Sequence, residues 1–461
     1  MIRHPFVSAS RAQLQRSAVK AGPLRTYGAA GLVVVALAAM LLVPGWGVVV
    51  GFALLAMGLA TGLGAPALLL LVAVPVRFRI PGPFHSVTFF ELALPFALLH
   101  EVLRNRATAK VEVPPVLGIV GVFVAWLLLS GIWSVDRLLW LRSVIVLAEA
   151  IAIGLALYLW ARRLPVGVVL RSWVLLGAFA GVAAVVWYFV LQRPEWINLT
   201  PPQNPDETLS QLERLGSPFW GPSNYFASML LLFIPFGFSN RLNIWLRVTM
   251  VGLGVIAIIG TLSRGAALAI VIASPVLLLI VPRSRWPHLP MRVRWLIAPA
   301  AAIVAVLLWA ILKRPDLGFN FFHDPSRASY YDAALRLLGE RPIYGWGYGS
   351  WPALVSGNAA KGVHNYYLQI AVETGLIGGA LFVGGFVALV VRARQLAPDL
   401  AFMTTAVLLL VAVNITVEAS FEGEIFSWLL AMLLGLTLAW PTERIARPTD
   451  YRESFRVIHR H

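Results

Sequence analysis

Long runs of apolar residues alternate with short polar connections along most of the chain. From residue 114 onward each run approaches the roughly 20 residues that a helix needs to cross a bilayer. The runs lie near 114–133, 140–161, 168–191, 219–238, 246–262, 265–282, 295–312, 365–391, 398–417 and 424–440. Before them, 27–76 is compatible with two full spans or three short ones, and a further run follows at 86–103. The pattern predicts an all-α polytopic membrane protein with about 12 to 14 transmembrane helices.

Two connections are much longer than the others, at 192–218 and 313–363. Structureless loops of this length are uncommon, and the second carries the pattern of an amphipathic helix. Asp324 is its expected N-cap, Pro325 lies in its first turn and Pro342 ends it. The apolar face of this helix is predicted to consist of Tyr330, Ala334, Leu337 and Leu338. We expect it to fold over one mouth of a transmembrane bundle at 27–440, flanked by tails at 1–26 and 441–461.

Composition and charge exclude several classes of protein. Hydrophobic residues make up 59% of the chain and charged residues 13%, which excludes a water-soluble fold. Because the chain has no cysteine, disulfides, thiolate metal sites and cysteine nucleophiles are excluded as well. The net charge of +16 does not indicate nucleic acid, since most Lys and Arg residues lie between apolar runs. Membrane lipids are therefore the expected surroundings.

The basic residues also predict an orientation. Cytoplasmic connections of membrane proteins carry the excess of Lys and Arg. Six clusters satisfy this rule, with two apolar runs between each cluster and the next: Arg104/Arg106/Lys110, Arg162/Arg163/Arg171, Arg241/Arg247, Arg283/Arg285/Arg292/Arg294, Arg392/Arg394 and the tail from Arg444 to Arg460. Both termini are then cytoplasmic, and both long loops lie on the outer side. Glycines within the runs, such as Gly375 and Gly385, are expected to let helices approach closely.

Two arginines on the predicted outer side are candidate anion ligands. Arg264 lies in Thr261-Leu-Ser-Arg-Gly265, at the turn between two apolar runs, where it could reach lipid headgroups or bind a phosphate with its guanidinium fork. The tight turn and the helix N-terminus that follows favour phosphate. Arg214 precedes a Pro- and Gly-rich junction that leads to Asn224, about one turn into the next span. Irregular backbone at membrane depth indicates a wet cavity; an ordinary loop arginine and a capping asparagine are the alternative.

His364 begins the span after the longer loop. Asn365, Gln369 and Glu373 follow with i, i+4, i+8 spacing, so they form one polar stripe at the start of a helix. Ionisable groups in membrane spans are costly and mark functional sites. Histidine, with a pKa of about 6.5, can accept a proton from an attacking hydroxyl. A single interfacial histidine would be the alternative, but the stripe beside it favours function.

The rest of the long loop contains Arg327 and the aromatic segment Tyr344-Gly-Trp-Gly-Tyr-Gly-Ser-Trp351. Such aromatics form interfacial belts or stack on sugar rings, and Gly-X-Gly spacing can let backbone approach a ligand; the sequence leaves both readings open. It contains neither a nucleotide-binding Walker A motif nor the His-Glu-x-x-His motif of zinc proteases. Glu422 and Glu424 read as a solvated turn. We therefore assign no metal and no cofactor.

Taken together, these features make the chain resemble the O-antigen ligase and O-antigen polymerase superfamily of bacterial envelope glycosyltransferases. The features are Arg214, Arg264, the loop from Arg327 to Gly349 and the segment His364–Gly375. The motifs of this resemblance span roughly 210–380, and the many-helix topology covers the remainder. It implies a metal-independent inverting glycosyltransferase in the inner membrane. The donor would be an undecaprenyl-diphosphate-linked glycan and the active site would face the periplasm. By the same resemblance, Arg214 and Arg264 hold the donor diphosphate and His364 activates the acceptor, with supporting roles for Asn224, Arg327, Asn365 and Glu373.

The acceptor separates the activities of this superfamily. A ligase transfers glycan to lipid A-core, a polymerase to another lipid-linked glycan, and a third branch to protein. The shared motifs do not separate them, and we favour the ligase slightly over an O-antigen or exopolysaccharide polymerase. A secondary transporter or flippase is the alternative from another class, but it predicts buried charges near the midplane and repeated halves. Here the candidate charges lie at outer ends of helices.

Overall fold

The computed structural model describes residues 79–80, 87–88, 94–95, 97–99, 101–103, 115–189, 223–261, 263–282, 284, 325–355, 362–417 and 424–440. They fall into two units, Met1–Arg106 and Ala107–His461. In the first unit, Arg79–Ile80 (β1) pairs antiparallel with Val87–Thr88 (β2), and short helical stretches follow between 94 and 103. The predicted tails, the spans within 27–76, the span at 295–312 and the loop at 192–218 lie outside the described residues.

The described part of the second unit consists mainly of α-helices. They are α1 (Val116–Leu129), α2 (Arg137–Ala161), α3 (Val166–Phe189), α4 (Ser223–Leu230), α5 (Ile244–Thr261), α6 (Arg264–Ile280), α7 (Pro325–Glu340), α8 (Trp351–Leu354), α9 (Tyr366–Ala393), α10 (Pro398–Asn414) and α11 (Glu424–Ala439). Short 3₁₀ helices occupy Ser130–Ile132 and Ile234–Phe238.

Most of these helices coincide with the predicted apolar runs. Within the described residues, α2, α5 and α9 are long and apolar enough to cross a membrane. The fold is therefore the all-α membrane architecture that the sequence predicts. The count of 12 to 14 spans remains a prediction, because part of the chain lies outside the described residues.

Helices of the second unit pack pairwise: α2 on α11, α6 on α10, α1 on α9 and α3 on α5. The crossing of α2 and α11 is close, because a methyl group added to Gly435 would overlap the carbonyl oxygen of Gly154. Small residues permit such approach where burial from water does not drive association. The glycines of α9 differ from one another: Gly378 lies tightly against Thr374, whereas Gly385 has no described atom within 4 Å of an added Cβ.

The apolar run at 219–238 does not form the continuous span that the sequence suggests. Helix α4 ends at Leu230, and Leu232 and Phe233 form tight bonds to carbonyls three residues earlier before the 3₁₀ helix begins. Pro235 has no backbone N–H to donate, which destabilises a continuous α-helix at this position. The apolar composition of the run is therefore compatible with two short helical pieces, which composition alone does not distinguish from one.

The amphipathic helix predicted in the long loop is confirmed as α7, which begins at Pro325 and ends just before Pro342. Its predicted apolar face is the face that packs. Ala334 and Leu337 are buried in a cluster, here called the Trp351 cluster, whose buried members are Ala334, Leu337, Trp351, Val363 and Val372. Leu338 packs against this cluster from its edge. The expected N-cap, Asp324, lies outside the described residues.

A bidentate ion pair joins the start of α10 to the connection before α5. Arg241 donates from Nε to Asp399 Oδ2 at 2.5 Å and from a terminal nitrogen to Oδ1 at 3.1 Å. Both side chains are mostly buried, which limits screening by solvent. We expect a double-mutant cycle of Arg241→Gln and Asp399→Asn, followed by thermal unfolding in detergent, to give a coupling of about 1 kcal/mol. Additive effects of the two substitutions would show that the pair contributes nothing to stability.

Candidate functional site

Helix α9 is broken at Gly375, where φ is 72° and ψ is −179°. The ring of Tyr366 lies 5.6 Å from the ring of Phe382, although 16 positions separate the two residues. In a straight helix their Cα atoms would be roughly 24 Å apart. The helix therefore consists of two sharply bent arms, a first arm at Tyr366–Thr374 and a second arm at Leu376–Ala393. His364 lies directly before the first arm.

The segment 342–349 fills the break and satisfies its backbone. The amide of Gly347 donates to the carbonyl of Glu373 at 2.7 Å, and the amide of Trp346 donates to Val372 at 3.1 Å. On the other side of the break, the amide of Leu376 donates to the carbonyl of Pro342 at 2.8 Å. A broken helix leaves amides and carbonyls without intrahelical partners, and buried ones must be paired. The segment 342–349 therefore stabilises the break in α9 by pairing its backbone groups.

Glycines in this loop are required by protein neighbours. Gly345, Gly347 and Gly349 all have positive φ. A Cβ added at Gly345 would lie 2.5 Å from the nitrogen of Gly375, and one added at Gly347 would lie 2.5 Å from Ser134. A Cβ added at Gly349 would overlap Ser143. The sequence leaves open that the Gly-X-Gly spacing lets backbone approach a ligand. In the structure these glycines instead allow the loop to pack against α9 and the start of α2.

Aromatic side chains of the loop are also engaged within the protein. Trp346 donates from its indole nitrogen to the carbonyl of Leu337 at 2.8 Å, and Arg341 lies 4.0 Å above its ring. Burial, and secondarily the nearby Glu373 carboxylate, raises the pKa of Tyr348 well above its usual value, against a hydrogen bond with Tyr366 that lowers it. Tyr348 therefore stays a neutral phenol at any physiological pH.

The polar stripe predicted on α9 lies on its first arm. Asn365 is the N-cap, and its side chain accepts from the amide of Leu368 at 3.1 Å. Gln369 and Glu373 are both buried, and Gln369 donates to Glu373 at 3.4 Å. The Glu373 carboxylate accepts from the amides of Gly349 at 2.9 Å and Trp351 at 3.3 Å. Two of the stripe residues thus face the loop of their own chain.

His364 has a left-handed backbone, with φ of 54°. This conformation is uncommon for residues other than glycine and persists only where the surrounding structure determines it. Its side chain is half-buried, and its ring lies face to face with the ring of Tyr330 on α7, at 6.1 Å and 23° between planes. The preceding Val363 is fully buried in the Trp351 cluster. Two elements therefore fix this histidine, one on each side.

The ends of several helices meet near His364. The amide of Tyr366 donates to the carbonyl of Ile415, just past α10, at 2.9 Å. At the far end of α6, Leu277 and Val281 pack with Ala406 in the middle of α10. The ion pair of Arg241 with Asp399 brings the start of α5 to the start of α10, and α6 follows directly after α5. Because α5 and α10 are apolar helices of similar length, we place the start of α6 at the end of the unit where α10 ends, which is also the end of His364.

Arg264 is the first residue of α6, and the structure describes its backbone. Ser263 caps this helix, with its hydroxyl accepting from the amide of Ala266 at 3.4 Å. Helix α5 ends at Thr261, so only two residues separate it from α6. The first turn of a helix presents unpaired amides and a partial positive charge to anions.

Helix α4 reaches the same end through a buried hydrogen bond. Asn414 donates to the hydroxyl of Ser228 at 2.8 Å, and both residues are fully buried. The Ser228 hydroxyl donates to the carbonyl of Asn224, whose side chain is half-buried. We call the region formed by α4, the start of α6, the end of α10 and His364 the site end of the unit.

The structure thus brings Asn224, Asn365, Glu373, His364 and the start of α6 at Arg264 to the site end or to the loop against it. Arg327 lies in the first turn of α7, where its backbone is described. Arg214 falls outside the described residues, so its predicted place stays a prediction. Within the described residues, no group of three His, Asp or Glu side chains could hold a metal ion.

Sequence reasoning missed three participants in this arrangement: Tyr330 as the neighbour of His364, Trp351 as the centre of its cluster, and the buried pair of Ser228 and Asn414. A signal existed for Asn414, because a polar residue inside an apolar run is costly unless it is partnered. No sequence signal pairs Tyr330 with His364, since their contact depends on how α7 folds onto α9.

Comparison with known proteins gives a family match over a segment that includes Arg264 and His364. A search of curated proteins gives no significant match. Residues 249–383 match the family model described as O-antigen ligase. The matched segment contains Arg264, Arg327, His364, Asn365 and Glu373, and it leaves out Arg214 and Asn224. This match supports the resemblance to the O-antigen ligase and polymerase superfamily that the sequence motifs indicate.

Proposed function

We propose that the protein transfers a glycan from an undecaprenyl-diphosphate-linked donor to an acceptor hydroxyl, at the periplasmic face of the bacterial inner membrane. Lipid A-core is the acceptor that we favour, as in an O-antigen ligase. Both termini would lie in the cytoplasm, in keeping with the basic clusters at the opposite ends of the spans.

One feature carries this proposal: His364 and the start of α6 are placed at the same end of the unit. A histidine offers a base near neutral pH, and a helix start with an arginine offers an anion site. The two features are 100 positions apart in the chain, yet both belong to the matched segment. Arg214, predicted on the loop before α4, would add a second cation.

The proposed reaction needs a base and cations. The acceptor hydroxyl gives its proton to the His364 imidazole while its oxygen forms a bond to the anomeric carbon. The bond from that carbon to the diphosphate oxygen breaks, and undecaprenyl diphosphate leaves with the electron pair. Attack opposite the leaving group inverts the anomeric centre. Arg264 and Arg214 would stabilise the charge that develops on the diphosphate.

Replacement of Arg264 tests the donor half of this proposal. We expect Arg264→Ala to lower transfer by about tenfold to a hundredfold, since a charge-assisted hydrogen bond to an anion contributes about 1.5–3 kcal/mol. Arg264→Lys should restore little, because an ammonium lacks the bidentate fork. The measurement is transfer from a lipid-diphosphate glycan by purified protein in liposomes. Arg336→Ala, at an exposed position on α7, is the matched control and should retain full activity.

The product of the same assay decides the acceptor. Offering lipid A-core and a second lipid-linked glycan in parallel gives ligation in the first case and chain elongation in the second. Elongation alone would make the protein a polymerase of the same superfamily. Transfer to neither acceptor by the wild-type protein, or full transfer by Arg264→Ala, would contradict the proposal.

A further inference from the structure

The Glu373 carboxylate is a buried polar group that the proposed reaction does not use. It is 2% exposed. Its two oxygens accept from the amides of Gly349 and Trp351 and from the side chain of Gln369. Three donors of its own chain hold this buried carboxylate, which is the pattern of a structural rather than a substrate-facing acid. Its role must therefore be exerted through the groups that it holds.

Trp351 connects Glu373 to the histidine. The amide that donates to Glu373 is the first amide of α8, and the indole of the same residue is the centre of the Trp351 cluster. Val363, fully buried in that cluster, is the residue directly before His364. A shift of the indole would therefore move the backbone at the position where His364 adopts its left-handed conformation.

Helix α7 is tied to the same cluster. Ala334 and Leu337 pack in it, and Tyr330, one turn before Ala334, lies against the His364 ring. The imidazole is thus flanked by Val363 on its backbone side and by Tyr330 at its ring, and both belong to segments that pack in the Trp351 cluster. Catalytic geometry must be maintained within a fraction of an ångström, and supporting residues accomplish this.

We infer that Glu373 is a positioning residue, which fixes the loop 349–351 and, through Trp351, sets the orientation of His364 for proton transfer. This inference rests on the proposed function and assigns the carboxylate a role other than acid, base or anion ligand. It predicts that Glu373 governs turnover and leaves donor binding unchanged. The substitution Glu373→Gln keeps the size of the side chain and one acceptor oxygen, so its effect should be intermediate.

The test measures transfer and donor binding in the same liposome samples. Turnover is expressed per donor-binding site, counted with a fluorescent undecaprenyl-diphosphate glycan, so that unfolded molecules do not contribute. We expect turnover per site to fall about threefold in Glu373→Gln and at least tenfold in Glu373→Ala, with donor Kd within twofold of wild type. Glu340→Gln, an exposed carboxylate on α7, is the matched control and should match wild type.

A second variant tests the connection itself. Trp351→Phe keeps an aromatic ring but not its full volume, and we expect it to lower turnover per site. Because Glu373 acts through Trp351, the double variant should lose less than the product of the two single losses. If Glu373→Ala yields no folded protein, Glu373→Gln and Trp351→Phe provide the same comparison.

Outcomes separate the inference from the proposed function. Wild-type turnover per site in Glu373→Ala, with His364→Ala inactive, overturns the inference and leaves the function standing. Weakened donor binding with unchanged turnover also overturns it, because the carboxylate would then serve the donor. Unchanged transfer in His364→Ala overturns the proposed function itself.

Discussion

Replacing His364 with alanine is expected to lower glycan transfer by about 10²–10⁴-fold, the range typical of a lost general base. An imidazole is a base near neutral pH, and that of His364 lies at the site end, beside Tyr330 and next to the Trp351 cluster. Alanine removes the proton acceptor and leaves the arginines that are proposed to bind the diphosphate. The loss should therefore fall on kcat, with the donor Kd close to its wild-type value. Initial rates at saturating donor, together with equilibrium donor binding, measure both.

A second histidine provides the control. His459→Ala removes the same group from the C-terminal tail, which the charge pattern predicts to be cytoplasmic, and should leave transfer unchanged. Activity of His364→Ala within threefold of wild type would show that another group accepts the proton. Loss of donor binding in parallel with turnover would instead assign His364 to the donor site.

Transmembrane helices are the part of this fold that sequence predicts best. An apolar run of about 20 residues has few stable conformations in a bilayer, because every backbone group must be paired within the helix. Helices α2 and α5 illustrate this, and outside the bilayer α7 is predicted in a similar way, since Pro325 and Pro342 mark the ends of an amphipathic pattern. Here the physical constraint is local, so a single segment contains the required information.

Breaks in helices are harder to predict. Gly375 looked like one of several packing glycines, and the i, i+4, i+8 stripe from Asn365 to Glu373 implied a straight helix. Whether glycine continues a helix or interrupts it depends on the segment 342–349, which supplies the missing hydrogen bonds. The run at 219–238 shows the same limit at Pro235. In both cases a tertiary partner selects among conformations that the local sequence permits.

The candidate site shows both situations. Charge patterns predicted that His364 and Arg264 belong to one side, because orientation rules apply to the whole chain. The same rules contain no information on side-chain partners. In the structure Asn365 caps a helix, Glu373 accepts from its own loop, and Tyr330 lies beside the histidine. Residue spacing alone could not distinguish these contacts within the protein from contacts with substrate.

Replacing Gly375 with alanine is expected to destabilise the protein by at least about 3 kcal/mol, through two effects at one position. With φ of 72° and ψ of −179°, the residue occupies a region that is open almost only to glycine. In addition, an added Cβ would overlap the carbonyl oxygen of Ile343 and lie 2.5 Å from the amide nitrogen of Tyr344. Neither neighbour can rotate away, because both are backbone atoms of the segment that fills the break.

Gly385→Ala in the second arm of the same helix is the matched control for this substitution. Its added methyl group meets no described atom within 4 Å, and alanine favours helix over glycine by about 0.5–1 kcal/mol. We therefore expect thermal unfolding in detergent to show a marked decrease in Tm for Gly375→Ala and no decrease for Gly385→Ala. Since the loop that Glu373 holds would lose its seat, Gly375→Ala should also lose transfer at temperatures where it remains folded. Equal Tm values for the two variants would mean that α9 is straight at Gly375 and that the loop packs elsewhere.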